Sequence, residues 1–355
     1  MRLGLSCGFW GTGRDGDNMA LVDRAEQLGY DVVWVSEAYG PDAATVLAWI
    51  GARTERIGLG AGVLQIPGRT PAMTAMTAAS LDSLSDGRFR LGLGVSGPQV
   101  SEGWHGVRFA RPLGRTREYV SIVRTALSRR AVSHDGEHFT LPLPDGPGKA
   151  LRLNVLPTRT TVPIYLAAVG PRNLELAGEI ANGWLGVFVS PHYLGEQVEA
   201  LDRGRQRHST DDIPPGPTGD GFEIDATVPV AVGDDVSAAA KLVAPYAALY
   251  VGGMGSRTQN FYNALAVRMG YAEQAARVQD LYLARQWREA AAAVPEAFID
   301  DTSLLGPVDR IARGMQRYAD AGVTTLTVAP WGEDLADRMA SLEAAAEAMS
   351  QVRAG

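Results

Sequence analysis

Residues 57–97, IGLGAGVLQIPGRTPAMTAMTAASLDSLSDGRFRLGLGVSG, decide the fold. Positions 57–64 form an apolar and glycine run without charges, too short for a helix and suited to a strand buried on both faces, as in parallel sheets. Pro71 opens a helix at its first turn, where a missing N–H costs nothing, and Met73, Met76, Ala79 and Leu84 recur at helical steps as its apolar face. Asp86-Gly87 ends that helix, and 90–95, RLGLGV, form a second buried strand. Two parallel strands joined by a crossover helix make a βαβ unit. Gly60, Gly62, Gly92 and Gly94 leave room for something flat to approach the strand ends.

The same alternation runs outward in both directions. Upstream lie a strand at 2–6, a glycine-rich loop, a helix from about 18 capped by Asp17 or Asn18, a strand at 31–36 and a helix at 43–54. Downstream, strands are expected at 163–168, 184–190, 223–232 and 322–328, separated by helices, with a last amphipathic helix at 333–350. Three stretches interrupt the pattern: a Pro- and Gly-rich excursion at 136–154, an exposed linker at 210–221, and a long helical insertion at 256–293 broken near Tyr271. Eight strands, each followed by a helix, favour a (β/α)8 barrel over a doubly wound sheet. The expectation is a single α/β domain over 1–355, with insertions near 131–160 and 253–300 and active-site residues at the C-terminal strand ends.

Composition narrows the function. The chain has 355 residues, 46% of them hydrophobic, enough for a large core. A net charge of −7 without a basic stripe argues against nucleic acid and anionic membranes as partners. No apolar run reaches the length of a membrane span, and the first residues enter a strand rather than a signal sequence, so a cytoplasmic protein is expected. Cys7 is the only cysteine, which excludes an internal disulfide and a cysteine zinc site. Of the five histidines, only His134 and His138 have ligand-like spacing, and they flank a turn, so no metal site is expected.

Two loops carry candidate chemistry. In 167–184, AAVGPRNLELAGEIANGW, Gly170, Pro171, Arg172 and Asn173 stand where a strand gives way to a helix, whose free N–H groups favour an anion; an ordinary solvated helix start is the alternative. Glu37, Tyr39 and Asp42 follow the second strand, where such groups can transfer a proton, hold a cofactor ring or simply cap a helix. Ser96 and Gly97 can offer backbone N–H groups to a ring carbonyl or form an empty turn. Phe9, Trp10, Tyr39, Trp104, Phe188, Phe261 and Tyr262 could line a substrate pocket or pack the core. With no nucleophile elbow and no Walker loop, the chain needs a borrowed reactive group, hence a cofactor.

The segments RLGLSCGFWG, VVWVSEAYGPDA, the 52–106 stretch, GPRNLELAGEIANGW, GGMGSRTQNFYNALAVRMGY and GPVDRIARGMQRYADAGVTTLTV together resemble the luciferase-like monooxygenase superfamily. Within it they are most similar to the actinobacterial coenzyme F420-dependent oxidoreductases. The resemblance implies a barrel that binds a reduced deazaflavin at its C-terminal mouth. It assigns Gly62, Val63, Leu64 and Gln65 to a strand-three bulge that often holds a non-prolyl cis peptide behind the ring. It places Ser96 and Gly97 beside the ring, Gly170, Pro171, Arg172 and Asn173 at the cofactor phosphate, and Glu37 at a cofactor contact. Relatives often carry a catalytic histidine at the position of Ala38, so that role does not transfer, and Glu37 and Tyr39 become the candidate acids. The implied activity is hydride transfer between F420 and a small substrate with a C=C, C=N or C=O bond. The alternatives are a monooxygenase using FMNH2 from a partner reductase and a non-catalytic flavin-binding barrel. A homodimer is also implied, joined around the helices that follow strands two and three.

Overall fold

The computed structural model describes residues 1–159, 161–207 and 221–353. Of the linker expected at 210–221, all but Gly221 lies outside the described residues. The eight expected strands are present as β1 (Arg2–Ser6), β2 (Val32–Val35), β3 (Gly58–Ala61), β4 (Phe89–Gly94), β5 (Ile164–Ala167), β6 (Gly183–Val187), β7 (Glu223–Val232) and β8 (Thr325–Pro330). They pair in parallel in that order, and β8 returns to β1 through the register Arg2–Thr325 to Leu5–Val328, closing the barrel. Helices cover the outside, so residues pointing out of the barrel are buried as well, which is why the strands read as nearly unbroken apolar runs.

Inward-facing positions alternate along each strand and stack in layers. Trp34 is the largest side chain of the middle layer, and small neighbours make room for it: a Cβ at Gly60 would lie 2.2 Å from its ring. At Gly92 a Cβ would meet the Ala61 carbonyl oxygen at 2.0 Å. The floor of the barrel is charged. Arg2 pairs with Glu223 at 2.9 Å and Asp31 at 3.4 Å, and Arg90 with Asp31 at 2.6 Å. Above them the Trp34 Nε1–H donates to Asp225 Oδ2 at 2.8 Å.

Three expectations need correction. The first helix spans Asp15–Gln27, so Asp17 and Asn18 are inside it and cap nothing; Asn18 is buried, donates to the Phe9 carbonyl and accepts from Arg338. The helix Pro71–Leu84 does start at Pro71, capped by Thr70, but it buries Thr74, Ala75, Ala78, Ala79 and Leu81, while Met73, Met76 and Leu84 face outward. Small residues let this helix sit close to the barrel, and Asp82, on its buried side, is compensated by its pairing with Arg159. Third, the run at 57–64 does not make one strand: β3 stops at Ala61, and a two-residue strand, Leu64–Gln65, pairs with β4 after a bulge.

The insertions are a short antiparallel hairpin, His134–Asp135 with Thr140–Leu141, and a helical block after β7. That block comprises Val236–Ala248, a π-helical turn Leu249–Gly253, and the helices Phe261–Arg268, Ala272–Leu283, Trp287–Ala292 and Glu296–Asp301. Alanines, Val243, Val251, Val278, Phe298 and Phe188 give it an apolar cluster of its own beside the barrel mouth. A strand not expected from the sequence, Leu304–Gly306, returns from it to pair with the upper end of β7. No helix among the described residues is long and apolar enough to cross a membrane.

Candidate active site

A cleft of about 1690 Å³ opens at the C-terminal ends of the strands, and seven of the eight strands, with the bulge after β3, contribute to its wall. Its floor is the top layer of the barrel, with Ser6, Ser36, Gly62, Gly94, Ala167, Val187, Thr227 and Ala329. The peptide between Gly62 and Val63 is cis. Val63 lies over the next strand, where a Cβ at Gly94 would be 2.6 Å from Val63 Cγ2, so only glycine fits below it.

Around that bulge, the βα loops are tied by one polar network. Glu37, whose side chain is only 8% exposed, accepts from the Ala43 N–H at 3.1 Å and from the Gln65 N–H at 3.5 Å, and it pairs with Arg69. Arg69 also pairs with Asp42, the N-cap of helix Ala43–Gly51. Burial works to lower the Arg69 pKa, but the hydrogen bond and charge of Glu37, then Asp42, outweigh it, and the guanidinium is held above its ordinary value. Gln65 donates to the Ala38 carbonyl and accepts from Ser96 Oγ at 2.9 Å. Ser96 itself has a left-handed φ of 61°. Glu37, Gln65 and Ser96, expected at three separate stretches of the chain, thus form one connected edge of the cleft; Arg69, which joins them to Asp42, was not foreseen.

Gly170, Pro171, Arg172 and Asn173 line the same cleft at the start of helix Pro171–Ile180, which has no side-chain cap. Arg172 makes no ion pair among the described residues and stands on the cleft wall. A Cβ built at Gly97 or Gly170 would meet nothing within 4 Å, so both face open space. Leu64 is different from its neighbours: its side chain is fully buried in the core. His134 belongs to the hairpin and contacts Glu118, and no group of three or more metal-ligating side chains occurs among the described residues.

The other half of the cleft is aromatic. Tyr39, 61% exposed, stands at the rim with Phe9, Trp104 and Phe261, and Tyr262 is half-buried on the same wall. Trp10 and Phe188 are behind the wall: Trp10 packs edge-on against Trp49, and Phe188 stacks under Tyr246 at 5.2 Å. The helical block supplies Tyr246, Tyr250, Leu249 and Met254, and the loop after β8 supplies Trp331, none of them foreseen. The only sequence signal for this wall was the phrase YAALYVGGMG, aromatic residues running into glycines. Burial raises the pKa of Tyr246, Tyr250 and Tyr262, so all three are neutral phenols. Cys7, also on the wall, is no nucleophile, because burial pushes its thiol up to about 12 despite the opposing charge of Arg338.

The chain is similar in sequence and fold to known proteins. The profile of the luciferase-like monooxygenase family matches residues 11–325. A Mycobacterium tuberculosis protein named "Putative coenzyme F420-dependent oxidoreductase" is 44% identical over 335 residues, 92% of this chain and 94% of its own. The 5,10-methylenetetrahydromethanopterin reductase of Archaeoglobus fulgidus is 28% identical over 315 residues, 88% of this chain and 89% of its own. Among solved structures, the coenzyme F420 dependent tetrahydromethanopterin reductase from Methanopyrus kandleri superposes with a TM-score of 0.82 over 99% of both chains, at 22% identity, a likeness of fold. With the profile matched over most of its length, this chain belongs to the luciferase-like monooxygenase family.

Proposed function

We propose that the protein is an F420-dependent oxidoreductase acting on a small uncharged organic substrate with a C=C, C=N or C=O bond. The observation that carries this reading is the division of one cleft into two chemically different halves. One half has Val63 packed over Gly94, open space over Gly97 and Gly170, and an Arg172 that makes no ion pair among the described residues, at an uncapped helix start. The other is a tyrosine-rich apolar wall with no charged side chain among Tyr246, Leu249, Tyr250, Met254, Phe261 and Tyr262. The name of the 44%-identical relative supports the same choice of cofactor over FMN.

In this reading Val63 and the Ser96–Gly97 backbone would hold the ring, and Gly170, Pro171, Arg172 and Asn173 the phosphate, where backbone N–H groups and a cation complement a negative charge. When bound in its reduced form, F420 supplies a hydride. Glu37 accepts from Ala43, Gln65 and Arg69 and so acts as the group that fixes the bulge, while Tyr39 stands at the substrate entrance. The aromatic half excludes water from the reacting bond. The chain is further proposed to associate as a dimer through helices Ala43–Gly51 and Pro71–Leu84, where Met73, Met76 and Leu84 are exposed.

The test is turnover under two regimes. Anaerobic reoxidation of reduced F420 by members of a panel of enones, imines and ketones is the expected result. Oxygen uptake with FMNH2, and no reaction with F420, would refute the proposal.

A further inference from the structure

We propose that Tyr250 is the proton donor of this cleft, with Tyr246 as the positioning residue that holds it, a proposal that rests on the oxidoreductase reading above. Other proton-bearing groups on the wall are badly placed. Glu37 is occupied by two backbone N–H groups and Arg69, Cys7 keeps its proton far above neutral pH, and Tyr39 is open to water at the rim. Ala38, between Glu37 and Tyr39, has no proton to give.

Tyr250 is placed by a built device. Helix Val236–Ala248 does not end in a cap but widens into the π-helical turn Leu249–Gly253. Such turns are rare and concentrate at functional sites. The carbonyls that the turn frees are taken up by the insertion: Asn260 Nδ2 donates to the Tyr250 and Val251 carbonyls, both at 3.0 Å, and Asn263 Nδ2 donates to Val251 at 3.1 Å. Asn260 is 6% exposed and also caps helix Phe261–Arg268 through the Tyr262 and Asn263 N–H groups. Gly253 lets Tyr282 lie against the turn, since a Cβ there would be 2.3 Å from the Tyr282 ring. The result is a Tyr250 ring fixed between Tyr246 at 4.7 Å and Tyr262 at 4.8 Å, facing the cleft.

The Tyr246 and Tyr250 rings lie 4.7 Å apart, and burial raises the Tyr250 pKa by more than the Tyr246 hydroxyl lowers it. Burial keeps Tyr250 protonated, which a proton donor requires, and the Tyr246 hydroxyl stands ready to donate to the phenolate left after transfer. In the reductive direction, the hydride that a bound reduced deazaflavin would supply, being oxidised in turn, goes to one atom of the substrate double bond. Its neighbour, now carrying the electron pair of the broken π bond, takes the Tyr250 proton. The phenol O–H bond breaks, a new C–H, N–H or O–H bond forms, and the phenolate recovers its proton from water at the mouth. The surrounding uncharged wall fits an apolar carbonyl compound or imine and disfavours a phosphorylated or carboxylated one.

The test uses 2-cyclohexen-1-one as probe on the full chain, with and without oxidised F420. Infrared difference spectra should show the probe carbonyl moved to lower frequency in the unmodified protein and back in Tyr250→Phe. An unshifted carbonyl in the unmodified protein, or a shift that survives in Tyr250→Phe, overturns the proposal. In turnover, Tyr250→Phe should lose about 100-fold or more in kcat with KM unchanged. Tyr246→Phe, which removes one hydrogen bond to the phenolate, should lose about fivefold in kcat, again with KM unchanged. Equal kcat in Tyr250→Phe and the unmodified protein refutes the assignment. Both variants should bind F420 as the unmodified chain does. If the unmodified chain does not bind F420, the oxidoreductase reading falls, and the infrared shift still decides the placement of Tyr250.

Discussion

Replacing Asp225 by Asn should make the protein more stable at pH 8 and leave it unchanged near pH 4. Asp225 is buried in the barrel interior under the cleft floor. Burial pushes its carboxyl up from 3.8 to about 7; Glu223 adds to this, while the neighbouring Thr327 hydroxyl, the Trp34 hydrogen bond and the Arg90 charge oppose it. Between roughly pH 4 and 7, the native state therefore keeps a proton that the unfolded chain has released. The native state binds more protons in that window, so stability falls as pH rises through it and is level above. The gap between 3.8 and about 7 corresponds to about 4 kcal/mol at the plateau. Asparagine has nothing to ionise, and its amide oxygen can still accept the Trp34 Nε1–H bond that Asp225 accepts at 2.8 Å. Urea unfolding of both proteins from pH 4 to 8.5 gives the stability difference directly. It should rise from near zero to a few kcal/mol in favour of Asp225→Asn. A difference that is flat with pH, or a variant less stable at pH 8, would refute the reasoning.

Arg69→Met removes the cation from a Glu37 side chain that is 8% exposed and leaves it only backbone donors. The expected loss is about 2–3 kcal/mol, below the full cost of breaking a buried pair because Arg69 itself keeps 15% exposure. Adding Glu37→Gln should restore more than half of it in a double-mutant cycle, and additive losses would deny the coupling. For the proposed dimer, sedimentation should show a dimer that Met76→Glu, a charge on a half-exposed side chain, converts to monomer; a monomeric unmodified chain would remove the interface.

The barrel was legible because parallel strands buried on both faces leave charge-free runs, and β1 and β7 fall at 2–6 and 223–232 as read. The face of helix Pro71–Leu84 was not legible. Its buried side is alanine and threonine, chosen for close approach, while its longest apolar side chains point away, and hydropathy alone ranks them the other way. Asn18 was misread as a cap because a polar residue before an apolar run also suits a buried hydrogen-bonding position, here used by Arg338 from the other end of the chain. At the site, Glu37 and Ser96 were legible because each lies just past a strand, while Gln65 and the cis bond at Gly62-Val63 lie within the stretch that the family resemblance marked. Arg69 and Tyr250 were not, since one acts across loops and the other depends on a π-helical turn that no periodicity announces.

The central claim is tested most directly by anaerobic equilibrium titration with F420 and, separately, FMN, followed by tryptophan fluorescence. Three of the seven tryptophans, Trp34, Trp104 and Trp331, line the cleft, so a ligand bound there should quench a large part of the emission. Saturable quenching by F420 with little response to FMN is the expected result. Preference for FMN, or no response to either, would contradict the assignment of this cleft to a deazaflavin.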